Sequence, residues 1–375
     1  MKILTSRTIS ILTIIVFGIL AGAIFLRVGK VTVAKSILFV ATKTENTLEI
    51  QLIDVITKRV TASKSVPVSD YLSSSQFSYP VQYNPETNEI FYLTKGQSEY
   101  DGAPMNKDGT SFSRFYKIGW NQTAPTLIFE TSEHSNSWAV NKFDHSIMMS
   151  TINGQNQNIK KNDTNDGRII FSKDIIKGSA MLNELLIPND AEYIYQGFTE
   201  DSVNPNDPTK LVYNSLFLNK INNTNGEIER IFIHKNEAVE FNTNLSQNGR
   251  YLAFYAGKHK DWPANLTPFI FDLATKKVTP VQINDSISNL QLNWSGDNRL
   301  FLMLDHSLAY FDNHTNQVTK VFEAPALLIS PTLPAVSENF FSYDVKGLQI
   351  FDIAGKAILD VKTDPGVLVV GMGWY

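Results

Sequence analysis

The side chains able to do covalent or metal chemistry are few in this chain and scattered along it. Cysteine is absent, which removes thiolate nucleophiles, disulfides and Cys-based zinc or iron–sulfur sites together. The histidines, at His134, His145, His234, His259, His306 and His314, stand singly, without the spacing that brings two imidazoles onto one ion. They read as turn or surface residues. A G-x-S-x-G elbow for a serine nucleophile is missing, and so is a glycine loop that would cradle phosphate. NDTNDGR, Asn162 to Arg168, approaches a calcium loop through Asn162, Thr164 and Asp166 ahead of Gly167, but Lys173 stands where a bidentate carboxylate is needed. An Asn-Asp-Gly turn linking two strands accounts for it better. No metal and no cofactor is expected. What remains is a set of acids and aromatics in otherwise polar stretches: Tyr100, Asp101 and Asp108, then His259, Asp261 and Trp262, with Asp201 between. Carboxylates there could serve a glycan- or peptide-active enzyme, yet nothing pairs them at a defined spacing. As aromatics among polar neighbours the same groups suit a contact surface for a protein, peptide or glycan.

The elements that must position these residues repeat. FDLATKKV at Phe271 returns as FDNHTNQV at Phe311 and FDIAGKAI at Phe351, so Asp272, Asp312 and Asp352 stand 40 residues apart. A looser copy, IDVITKRV, begins at Ile53. An Asp opening such an octet can accept backbone N–H groups two residues on, so each copy reads as a hairpin turn. Upstream, SQNGRYLAFYAG (Ser246), SGDNRLFLMLDH (Ser295), PETNEIFYLTKG (Pro85) and VSENFFSYDVKG (Val336) each set a small polar turn before an apolar strand. FDHSIMMSTING (Phe143) and PNDAEYIYQGFT (Pro188) are weaker versions. Joined, each unit is four short antiparallel strands, the blade of a β-propeller, which cannot bury both faces alone and must pack into a ring. A β-sandwich also accommodates such strands, but does not require an even step. The expected fold is therefore all-β: a single propeller over residues 36–375, seven four-stranded blades within a range of six to eight.

Second strands are expected near Ile37, Ile90, Ile147, Tyr193, Tyr251, Leu300 and Phe340. The first unit lacks an inner strand and the chain ends in a spare one, Gly366 to Tyr375, which is expected to complete it. Four units carry polar inserts between second and third strands, at Gln97 to Ser111, Asn153 to Gly167, Thr199 to Lys210 and Gly257 to Pro268, and such connections all emerge on one face.

Residues 1–35 differ from the rest. Thr8 to Leu26 holds no charge and is bracketed by Lys2 and Arg7 before it and by Arg27, Lys30 and Lys35 after it. That is long enough for a transmembrane helix. Ala21-Gly22-Ala23 also fits the cleavage site of a signal peptide, so anchor and leader both stand. Either places the bulk of the chain outside the cytoplasm, on the periplasmic side or at the cell surface. With a net charge of -4 and no basic run, nucleic acid is excluded as a partner.

The S-x-x-G-R-Y-L-A-F form at Ser246 and the F-D-x-x-T form at Phe271 and Phe311 resemble the TolB-like, WD40-like (PD40) β-propellers, a group that includes the propeller domains of prolyl oligopeptidase and dipeptidyl peptidase relatives. The resemblance is strongest in the C-terminal third and faint between Ser98 and Lys235. It implies a propeller with a tendency toward protein or peptide contacts, and it brings no catalytic residues. The function expected from the sequence is a non-catalytic binding or scaffold module of the cell envelope, held to the membrane by its N-terminal helix; the alternative is a propeller enzyme using the loop carboxylates.

Overall fold

The computed structural model describes residues 37–44, 46–68, 72, 80–95, 113–153, 156–177, 181–186, 192–204, 206–236, 242–246, 248–256, 266–283, 290–294, 299–304, 307–312, 315, 317–323, 340–344, 347–351, 356–362 and 368–374. Thr8 to Leu26 lies outside them. Among the described residues no helix is long and apolar enough to cross a membrane.

These residues form antiparallel sheets of three or four strands. The first holds β1 (Ile37–Lys43), β2 (Thr47–Asp54) and β3 (Arg59–Pro67). The second is β4 (Val81–Asn84), β5 (Glu89–Lys95), β6 (Ser113–Gly119) and β7 (Thr126–Thr131). The third is β8 (His134–Asn141), β9 (Ser146–Asn153), β10 (Asn156–Asp163) and β11 (Ile169–Lys177). The fourth is β12 (Met181–Leu186), β13 (Tyr193–Asn204), β14 (Asp207–Asn222) and β15 (Ile228–Asn236). The fifth is β16 (Asn242–Leu245), β17 (Tyr251–Ala256), β18 (Thr267–Asp272) and β19 (Lys277–Pro280). The sixth is β20 (Leu290–Trp294), β21 (Leu300–Leu304), β22 (Ser307–Asp312) and β23 (Gln317–Glu323). The seventh shows β24 (Phe340–Asp344), β25 (Gly347–Phe351) and β26 (Ala357–Lys362). The last strand, β27 (Leu368–Trp374), pairs antiparallel with β1, from Leu38 opposite Trp374 to Lys43 opposite Leu368. It thus takes, in the first sheet, the place that β4, β8, β12, β16 and β20 take in theirs.

Local chemistry makes the turns. Asp54 Oδ1 accepts the N–H groups of Ile56 and Thr57 at 2.9 and 3.0 Å. Asp272 Oδ1 does the same for Ala274 and Thr275 at 2.9 and 3.3 Å, and Asn222 Oδ1 for Thr224 and Asn225 at 2.9 and 3.2 Å. Asp163 Oδ1 takes Asn165 N–H at 2.7 Å. Four residues after each acceptor the chain enters the left-handed region, at Lys58, Gly167, Gly226 and Lys276. The turns between first and second strands reuse the device, with Asn84 and Asn141 as acceptors and Asn88 and His145 left-handed.

Sheet faces pack on their neighbours. Phe39, Leu48 and Ile50 meet Val81, Ile90 and Ile118 between sheets one and two. Phe91 and Phe115 meet Trp138 and Met149 between two and three. Leu216 and Ile231 meet Phe254 and Phe271 between four and five, and Ala253 and Ile270 meet Trp294 and Leu302 between five and six. Each such side chain contributes about 1.5–3 kcal/mol by leaving water, which favours an apolar inward face in these strands. The first-position strands stand side by side in order: β27 by β4, β4 by β8, β8 by β12, β12 by β16 and β16 by β20. Side-chain amides tie some of them together. Gln82 donates to the Trp138 carbonyl at 2.9 Å and accepts Val140 N–H at 3.0 Å, while Asn244 donates to the Leu292 carbonyl at 3.2 Å.

Two of the inserts expected as loops are strands instead. Asn153 pairs directly with Asn156, so Asn153 to Gly167 is a tight hairpin, the whole of β10 and the turn after it. Thr199 to Lys210 is a hairpin arm: Ser202 pairs with Tyr213 and Asn204 with Asp207, beyond the last pairings with β12 at Thr199 and with β15 at Asn214. Pairing with a partner strand overrode a composition rich in Asn, Asp and Pro.

Candidate functional site

Tyr100, Asp101, Asp108, His259, Asp261 and Trp262 all fall outside the described residues. Their anchors do not. Lys95 pairs with Ser113 at the root of the first group, and Ala256 with Thr267 at the root of the second. Both roots, and the hairpin arm of sheet four, lie at the end of the sheets where second strands run into third strands. Asp201 is on that arm, opposite Asn214. Among the histidines, His145 is a turn residue whose carbonyl accepts the Thr164 hydroxyl at 2.6 Å. His234 sits between sheets four and five, 5.6 Å from the Phe254 ring and 4.9 Å from that of Phe269, and burial lowers its pKa from the ordinary 6.5. In NDTNDGR the oxygens serve the turn itself: Asp166 Oδ1 accepts Arg168 N–H at 3.0 Å and Asn162 Nδ2 donates to the Gly167 carbonyl at 3.0 Å. Among the described residues no group of three His, Asp or Glu side chains could hold a metal ion.

The most distinctive polar constellation is one that no motif signals, in the seam between sheets three and four. Met148, Ile159 and Phe171 of sheet three meet Ile194 and Ile221 of sheet four there. Strand alternation places Ser150 on the face of Met148, Ser137 beside it in register, Gln196 on the face of Ile194, and Asn219 opposite Gln196. All four are buried. Asn219 Nδ2 reaches Gln196 Oε1 at 3.5 Å, whereas Ser137 Oγ, Ser150 Oγ and Gln196 Nε2 have no protein hydrogen-bond partner among the described residues.

At the turn end of the same seam Lys161, only 4% exposed, forms an ion pair with Asp144. Its Nζ also donates to the Asn223 carbonyl at 2.5 Å and to Asn223 Oδ1 at 3.0 Å. Asn223 Nδ2 in turn donates to Asp144 Oδ2 at 2.9 Å, Asn141 Nδ2 to Asn223 Oδ1 at 3.1 Å, and Ser146 Oγ to Asp144 Oδ1 at 2.6 Å. A buried lysine is tolerable only when paired and bonded in this way. It is a structural clasp, with neither a nucleophile and its base nor a pair of facing acids. Sequence reasoning passed over it because its members lie up to 82 residues apart; the one available signal was an Asn-rich stretch in which two lysines follow the lone apolar residue Ile159.

No family model matches the chain, and no curated protein matches it. Solved structures do, at low identity. The β-propeller domain of the trilobed protease from Pyrococcus furiosus is similar with a TM-score of 0.54 and 13% identity, over 88% of this chain and 96% of that one. A prolyl endopeptidase is similar with a TM-score of 0.53 and 13% identity, over 77% of this chain but 43% of its own length. TolB from Acinetobacter baumannii is similar over 90% of this chain and 82% of its own at 13% identity, with a TM-score of 0.43 that carries no argument. At these identities the likeness establishes the fold: an all-β protein of the propeller type.

Proposed function

We propose that residues 36–375 are a seven-bladed, TolB-like propeller, closed by β27 in the first blade, that acts as a non-catalytic binding or scaffold module of the cell envelope. Thr8 to Leu26 holds it to the membrane with the propeller outside the cytoplasm. Its partner is an envelope protein, a peptide or a glycan, and Tyr100, Asp101, Asp108, His259, Asp261 and Trp262 contribute to the contact. The observation that carries this reading is the placement of the long second-to-third connections of sheets two and five, and of the hairpin arm of sheet four, at the end of their sheets opposite the tight turns at Asn84, Asp272 and Asn222. Rigid sheets with elaborated connections on one end are the arrangement in which loops do the recognising.

The test is affinity capture of the full-length tagged chain from membranes, identified by mass spectrometry. It is run beside variants in which Gln97 to Ser111, or Gly257 to Pro268, is replaced by a short turn. The expected result is a partner lost from both variants while far-ultraviolet circular dichroism stays that of a β protein. Capture indifferent to both replacements would overturn the assignment of the contact to this end. Release of the full chain from membranes by alkaline carbonate would overturn the anchor.

A further inference from the structure

We infer that the seam between sheets three and four is an opening joint, at which the two sheets part locally while the seams between sheets one and two, four and five, and five and six stay shut. The seams between sheets one and two, four and five, and five and six are filled with aromatic and aliphatic side chains, and prising them apart would expose all of that surface to water. The seam between three and four also buries Met148, Ile159 and Phe171 against Ile194 and Ile221, and Phe198 against Ile175, but it spends its middle on Ser137, Ser150, Gln196 and Asn219. These groups recover hydrogen bonds when water enters, so parting them costs far less than parting Phe, Ile and Leu.

The clasp at the turn end is built to allow the same motion. Lys161 on β10 and Asp144 in the turn between β8 and β9 both belong to sheet three, so their ion pair travels with that sheet. Among the described members of the clasp, Asn223, a neutral side chain from the turn between β14 and β15, is the one that leaves with sheet four. Opening therefore uncovers an ion pair that is still an ion pair and frees an amide that water can serve. An ion pair shared between the sheets would instead have left two unpaired charges. Farther out, the turn of sheet four abuts a side chain of sheet three, the ring of Phe171 next to Gly226, whereas the corresponding turn of sheet three abuts backbone of sheet two, the Ile128 carbonyl next to Gly167.

Because the chain has no cysteine, a single introduced thiol reports on one joint alone. Ser150→Cys puts it in the proposed joint, and Ala41→Cys and Ala253→Cys put it in the seams between sheets one and two and between five and six, all three positions being fully buried. Labelling of the native full-length chain by a small thiol reagent should be at least about tenfold faster for Ser150→Cys, with little dependence on low urea, as local opening requires. Equal rates at the three positions, or a Ser150→Cys rate that follows urea as steeply as global unfolding does, would overturn the joint. Should Ser150→Cys not fold, Ser137→Cys, opposite it in the same seam and equally buried, decides in the same assay: labelling no faster than at Ala41→Cys and Ala253→Cys would overturn the joint as well.

Discussion

Gly167 and Lys276 occupy the same place in equivalent turns, four residues after an Asp acceptor, with φ of 71° and 58°. Their substitutions should nonetheless behave oppositely. An alanine at Gly167 pays the left-handed penalty of about 1–2 kcal/mol. Its Cβ would also stand 2.5 Å from the Ile128 carbonyl oxygen and 2.7 Å from Phe129 Cβ, both on the outer strand of the neighbouring sheet. Relieving that overlap means moving β7 or the turn, a further cost of about 1–3 kcal/mol. Gly167→Ala should therefore destabilise by about 2–4 kcal/mol. With a urea m-value of about 3 kcal/mol/M the midpoint falls by about 1 M. Lys276 is exposed and already carries the backbone penalty, so Lys276→Ala should be neutral within about 0.5 kcal/mol. Lys276→Gly should stabilise by up to about 1 kcal/mol as the strain is relieved against a more flexible unfolded chain. Urea unfolding followed by tryptophan fluorescence gives all three values. If Gly167→Ala costs no more than the glycine gains at position 276, the turn of sheet three does not press on sheet two as described.

Asp272→Ala removes the acceptor of two turn amides and should cost about 1 kcal/mol in the same assay. Burial raises the Asp272 pKa but is outweighed by the hydrogen bond from Arg250 and by the Ala274 and Thr275 amides, so it lies below the ordinary 3.8. The resulting stabilisation is present above pH 3.8 and is lost as pH falls through the lower folded value; Asp272→Asn, which keeps the amide acceptor, should flatten that acid limb. His234, with its pKa lowered by burial, contributes stability present above pH 6.5 and lost below it as the ring must charge, so His234→Phe should leave urea midpoints at pH 5 and pH 7.5 closer together than in the unaltered chain. Deleting residues 366–375 leaves β1 an open edge in place of its pairing with β27, and the product should aggregate or unfold, as light scattering and circular dichroism would show; a monomer of unchanged thermal stability would refute the proposed closure.

Strand starts and turns were legible in the sequence because the chemistry that makes them is local. An Asp or Asn side chain bonds amides two and three residues on, and an apolar strand follows at a fixed distance, so Ile37, Tyr193, Tyr251, Leu300 and Phe340 each begin a strand where the repeat places one. The all-β class and the antiparallel fourfold unit rest on the same short-range rules. What the tertiary structure decided is whatever depends on a distant partner. Asn156–Asp163 reads as a polar loop, yet it is the third strand of its sheet, because Lys161 finds Asp144 and Asn223, and because Gln157 and Asn162 are buried by packing that no local rule encodes. The arm at Asp201 is likewise held by Ser215 and Asn214 across the hairpin rather than by its own propensity. A buried charge such as that of Lys161 is stable only when its partners arrive, and Asp144 and Asn223 lie 17 and 62 residues away along the chain; spacing within a motif cannot register them, and only strand pairing and the stacking of one sheet on the next bring them together.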